Sequence, residues 1–86
     1  SVPCHVMLQT NLAEASKHIP AYVAMLGPQQ DGVMLTIMAH PDWFWRIAWY
    51  LLEFPFPVKV IEPDGLKGAL ETLAQRAQNL AQGNLV

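Results

Sequence analysis

The chain has 86 residues, a net charge of −2 and a single cysteine, which bounds it to one domain and excludes an internal disulfide, a zinc knuckle or a redox pair. Hydrophobic residues make up 52% and charged residues only 14%, so apolar surface is left over for a partner, a ligand or a neighbouring domain. Three lysines and two arginines are scattered along the chain, without the concentrated positive potential that duplex binding demands, and the longest apolar stretches, such as Ile47 to Leu52, fall far short of the ~20 residues that span a bilayer.

Cys4 to Gln9 alternates, with Cys4, Val6 and Leu8 on one side and His5, Met7 and Gln9 on the other, the pattern of a strand. Asn11 followed by Glu14 has capping-box spacing, and Leu12, Ala15, Ser16 and Ile19 then recur at helical intervals until Pro20, which predicts a short helix. Ala21 to Leu26 lacks helical spacing, Gly27 to Gly32 is rich in turn residues, and Val33 to Ala39 is apolar; together they read as a hairpin.

Pro41 at a first helical position and Asp42 in the first turn open a second helix that ends before Pro55 and Pro57. Phe44, Ile47, Ala48 and Leu51 share one of its faces, and Trp45, Trp49 and Leu52 form a second stripe on the flank. Val58 to Ile61 is a brief strand, and Pro63-Asp64 opens a last helix whose Leu66, Leu70, Leu73, Ala77 and Leu80 recur three or four residues apart until Gly83. The order β-α-β-β-α-β-α predicts an α+β fold, a ferredoxin-like βαββαβ sandwich with an additional C-terminal helix, occupying residues 1–86 as a single domain. One sheet face then needs a cover, either the last helix or a second subunit or neighbouring domain.

Chemistry-bearing patterns are few. His5, His18 and His40 have no spacing that brings two onto one helical turn, which argues against a metal site. Cys4 has no histidine paired with it for nucleophilic chemistry, no serine sits in a nucleophile elbow, and the five glycines form neither GxGxxG nor GxxxxGK. Asp42 and Asp64 stand at helix starts, where the helix dipole favours them. No cofactor and no enzymatic activity are expected. The apolar helix from Trp43 to Leu52 is the exception: it reads either as a core helix of a crowded domain or as an interface with aromatic anchors, in which Arg46 stacks on a ring or grips an anion.

The runs Asp31 to Ile37, Trp43 to Trp49 and Val58 to Pro63, with Leu66, resemble the C-terminal extension (WCX domain) of WYL-domain bacterial transcriptional regulators. In that family a Gly-containing turn precedes a strand, a helix with Trp and Arg follows, and a strand ending in Pro feeds a closing helix. The chain departs from the pattern at Phe54-Pro55-Phe56-Pro57, where a Gly-containing turn is common. The letters Trp49-Tyr50-Leu51 are a coincidence within a helix and not the WYL signature. The single cysteine fits a reducing cytoplasm. The resemblance implies a fragment of a larger regulator, with a helix-turn-helix domain that binds DNA and a WYL domain preceding it; the start at Ser1-Val2-Pro3, without an initiator methionine, agrees. It further implies a non-catalytic regulatory role: dimerisation as a homodimer, contact with the WYL domain, and a share in sensing an effector, with single-stranded nucleic acid or a small ligand as the candidates. Trp43, Trp45, Arg46, Trp49, Leu52, Lys59 and Lys67 are the candidate interface or ligand residues; any nucleic-acid contact would combine Arg46, Lys59 or Lys67 with aromatic stacking.

The alternative is a stand-alone ferredoxin-like domain that binds a small molecule between subunits. An acylphosphatase-like hydrolase is the enzyme rival, and it needs an arginine after the first strand; Thr10-Asn11-Leu12 stands there, and no arginine precedes Arg46.

Overall fold

A computed structural model describes residues 1–84 of the chain, and the last two positions of the expected 1–86 domain lie outside the described residues. The elements are β1 (Val2–Leu8), α1 (Leu12–His18), β2 (Met25–Gln29), β3 (Gly32–Ala39), a 3-10 turn at Pro41–Trp43, α2 (Phe44–Leu52), β4 (Val58–Glu62) and α3 (Asp64–Ala81). The four strands form one sheet in the order β2-β3-β1-β4, with every neighbouring pair antiparallel. The fold is α+β, as the order of elements predicted.

Strand alternation decides what each sheet face becomes. Cys4, Val6 and Leu8 of β1 and Val33, Leu35, Ile37 and Ala39 of β3 are buried and point to the same side. Val58 and Val60 of β4 join them. Over this face pack Ala15 and Ile19 from the α1 region, Phe44, Ala48 and Leu51 from α2, and Leu66 from α3. All three helices therefore lie on one side, and among the described residues the core contains no buried polar or charged side chain. Of the two covers considered for the opposite face, α3 is not the one: it packs on α2 and along β4.

The caps follow the sequence closely. The Asn11 side chain accepts from the Glu14 backbone N–H at 2.8 Å, satisfying one of the donors that a helix start leaves orphaned. Gly83, at φ +75, stops α3: its N–H donates to the Leu80 carbonyl at 3.1 Å and the Asn84 N–H to the Asn79 carbonyl at 2.9 Å, the pairing of a Schellman cap.

The second strand requires a correction. It runs from Met25 to Gln29 rather than from Ala21 to Leu26, and only Gln30 and Asp31 remain in the turn. Gly27 and Pro28 read as turn residues, yet both lie in the ladder, opposite Met34 and Val33. β2 is an edge strand, where a proline's missing N–H can face away from the ladder. The true turn ends at Gly32, whose φ is +150 and whose added Cβ would run into the Leu8 carbonyl oxygen. At the other border, β4 is irregular, with a register shift opposite His5 and Val6.

Phe54 and Phe56 explain how the chain turns from α2 to β4 without the expected glycine. Their rings stack with centroids 5.4 Å apart, Tyr50 meets Phe54 edge-on at 4.9 Å, and His18 meets Phe56 at 5.8 Å. Aromatic packing between the prolines fixes the turn. The Gln9 N–H closes it by donating to the Pro57 carbonyl at 2.9 Å.

Candidate interaction surface

Helical geometry splits α2 into two apolar faces. Phe44, Ala48 and Leu51 are buried, whereas Trp45, Trp49 and Leu52 remain 51%, 53% and 59% exposed. The helix therefore carries a core stripe, as the first reading expects, beside a second apolar stripe that is uncovered. The Arg46 guanidinium lies 4.6 Å from the Trp43 ring centroid and 4.9 Å from that of Trp45, within cation–π range of both. A charge held on rings in this way keeps hydrogen-bonding edges free for an anion.

Next to α2 runs α3, whose leucine stripe starts in the core and ends outside it. Leu66 is fully buried, Leu70 and Leu73 are partly buried, and Leu80 is 68% exposed. Trp49, Leu52, Leu73, Ala77 and Leu80, with Arg76 at the rim, line a shallow groove of about 160 Å³ between the helices. That volume is below the ~300 Å³ at which small-molecule pockets begin. A wider depression of about 520 Å³ lies between α1 and β2, but the Ser16 hydroxyl there donates to its own helix's Leu12 carbonyl at 2.7 Å, leaving no convergent polar groups to orient a ligand.

The second uncovered surface is the other face of the sheet, and it collects all four methionines of the chain. Met7 opposes Met34 and Lys59, and Met25 opposes Thr36 in the ladder. Met38 lies further along β3 on the same side, and Met25 and Met38 are 74% and 60% exposed. Crossing this carpet is one polar row: His5 Nδ1 lies 3.0 Å from Thr36 Oγ1, and His5 Nε2 lies 3.3 Å from Glu62 Oε1. The order hydroxyl, imidazole, carboxylate is that of a hydrolytic triad. It lies on three paired strands, β3, β1 and β4.

The sequence-predicted candidates thus separate. Trp43, Trp45, Arg46, Trp49 and Leu52 come together on the α2 flank. Lys59 stands on the methionine face, across the sheet from Arg46, and makes no ion pair among the described residues. Lys67 lies on the first turns of α3, paired with Asp64 at 3.7 Å. The methionine face was missed among the candidates, although alternation along Val33 to Ala39 signals it: Met34, Thr36 and Met38 fall between the buried residues.

Burial pushes the Cys4 thiol up from its ordinary value of 9.0, which keeps it protonated and unreactive near neutrality. The Tyr50 hydroxyl is raised too, by burial first and then by Tyr22 and Glu53. Among the described residues no group of three His, Cys, Asp or Glu side chains could hold a metal ion, and no helix is long and apolar enough to cross a membrane. Comparison of the chain with family models, curated proteins and solved structures gives no match.

Proposed function

We propose that this chain is a non-catalytic, self-associating regulatory domain, the ferredoxin-like C-terminal extension of a cytoplasmic bacterial WYL-type transcription regulator. The strand order β2-β3-β1-β4 with α1 and α2 on one face supports the ferredoxin-like reading, to which the 3-10 turn and α3 are additions. The sequence order that the resemblance rests on is kept in space: a glycine turn at Gly32, an aromatic helix bearing Arg46, and a strand leading through Pro63 into a closing helix. DNA would be bound by the helix-turn-helix domain of such a parent polypeptide, and the WYL domain would be the neighbour within it.

One observation carries the reading of an interaction domain: two separate apolar surfaces, the Trp45–Trp49–Leu52 flank and the methionine face, stay uncovered while the core beneath them is complete. Scattered exposed hydrophobic residues are ordinary, but contiguous ones on two sides mark contacts. Direct capture of a nucleic-acid effector has less support, because Arg46 alone of the three candidate cations sits on aromatic rings. Sedimentation of the isolated chain tests the proposal. It forms a dimer in the micromolar range, and a chain that remains monomeric to high micromolar concentration overturns self-association.

A further inference from the structure

The methionine face has a pattern that singles out one occupant. From the ladder registers, its residues fall into rows across the strands: Glu62, His5, Thr36 and Met25 form one row, and Lys59, Met7, Met34 and Gly27 form the next. The two rows are complementary at their two ends, while His5 and Thr36 stand beside Met7 and Met34 between them. On β4 an acid in one stands beside a base in the other, and on β2 a long side chain in one stands beside a glycine in the other.

We infer that this face pairs with the same face of a second copy of the chain, about a two-fold axis that lies between the sheets, perpendicular to the strands, and passes between these two rows. This rests on the reading of the chain as a self-associating domain and names the surface that performs it. A two-fold so placed lays each strand over its own counterpart running in the opposite direction, so the first row of one copy faces the second row of the other. Glu62 meets the partner's Lys59, and Lys59 meets the partner's Glu62. Met25 sits over the partner's Gly27, a glycine with nothing within 4 Å of an added Cβ and hence room above it. One row further out, Met38 sits over the partner's Gly32 by the same alternation.

The contact also has a physical motive. Thioether side chains are unbranched and adaptable, suited to a surface that is wet in the monomer and dry in the pair. Lys59 lacks an ion-pair partner among the described residues of its own chain, and the Glu62 side chain is 60% exposed, paired among the described residues with His5. Strands about 4.8 Å apart and same-face rows about 6.8 Å apart give a face of about 450 Å². Two such faces bury about 900 Å² in all, below the ~1,200 Å² of a stable specific interface and in the range of weak, transient ones. The dimer is therefore weak and concentration-dependent, in the micromolar range. In this arrangement the Trp45–Trp49–Leu52 flank lies on the helical side of the sheet, outside the contact, and stays free for a different neighbour.

The test exploits the reciprocity of the two ion pairs. Lys59→Glu alone, and Glu62→Lys alone, each set like charges against one another twice per dimer and weaken dimerisation by about tenfold or more. The double variant Lys59→Glu/Glu62→Lys recovers wild-type association. An equimolar mixture of the two single variants also recovers it, because every reversed charge then faces its opposite across the pair, a result that a change within one chain cannot produce. Met25→Glu, at a site already exposed in the monomer, weakens the dimer as well, and melting curves for every variant verify folding. Sedimentation velocity reads all of these. Dimers that ignore both charge reversals, or single variants that stay apart when mixed, overturn this interface while self-association itself stands; a wild-type chain that never dimerises overturns both.

Discussion

Gly65, in the first turn of α3, lies directly against the ring of Phe44: a Cβ added there would sit 2.8 Å from the ring's Cε2 and 3.1 Å from Cδ2. The close approach lets α3 begin on top of α2 and seats Leu66 in the core. A bulkier residue at position 65 must push the Phe44 ring or lift the helix, and overfilling a packed site costs about 1–3 kcal/mol. Gly65→Ala therefore lowers the unfolding free energy by about that amount in urea titrations, despite alanine's better helix propensity. A gain in stability would mean that the two helices do not touch there.

At Gly32 the constraint is backbone and not side chain. Its φ of +150 and the nearby Leu8 carbonyl leave no place for a Cβ, so Gly32→Ala must distort both the hairpin and the β1–β3 ladder. A loss of about 2 kcal/mol or more is expected from such a conformation, visible as a lower denaturation midpoint. Unchanged stability would show that the turn has another geometry.

Phe44 and Trp45 are adjacent in sequence and opposite in role, one buried and the other half exposed. Phe44→Ala empties part of the core and costs about 3–5 kcal/mol. Trp45→Ala removes a ring that is mostly in water and costs about 1 kcal/mol or less, including its contact with Arg46. Equal losses for the two variants in chemical denaturation would contradict the division of α2 into a core stripe and a free stripe.

Two neutral acids, the buried Cys4 and the partly buried Tyr50, fix a direction for the pH response. Cys4 has its proton affinity raised in the folded state above the ordinary value of 9.0, so the folded chain holds that proton more tightly than the unfolded chain. Its contribution to stability is complete below pH 9.0 and declines as the pH rises past that value towards the folded pKa. Tyr50, raised from 10.0, acts in the same sense at still higher pH. Melting temperature accordingly falls on the alkaline side, and Cys4→Ala flattens the first part of the fall. The folded chain also resists thiol-directed alkylation at neutral pH, becoming reactive on unfolding.

Elements defined by strong local signals were legible without coordinates. The Asn11 cap, the alternation along β1 and β3, the two stripes of α2 and the glycine stop of α3 are each written in a few neighbouring residues. The second strand was not, because Gly27 and Pro28 carry the chemistry of a turn, and only their place on a sheet border lets them lie in a ladder. The candidate site was read halfway for a related reason. Aromatic residues clustered in sequence announced the α2 flank, whereas the methionine face draws its members from four strands and stands out only once the register brings them side by side. Lys59 and Arg46 were grouped by charge, and the sheet parts them.

Both borders of the sheet carry features that discourage lateral growth. Pro28 has no N–H to offer an incoming strand along β2, and the register shift disturbs the regular ladder at β4. A chain this rich in hydrophobic residues is thereby steered away from stacking edge on edge into fibrils. Its stickiness is channelled instead to broad surfaces, where assembly can terminate after a defined number of subunits.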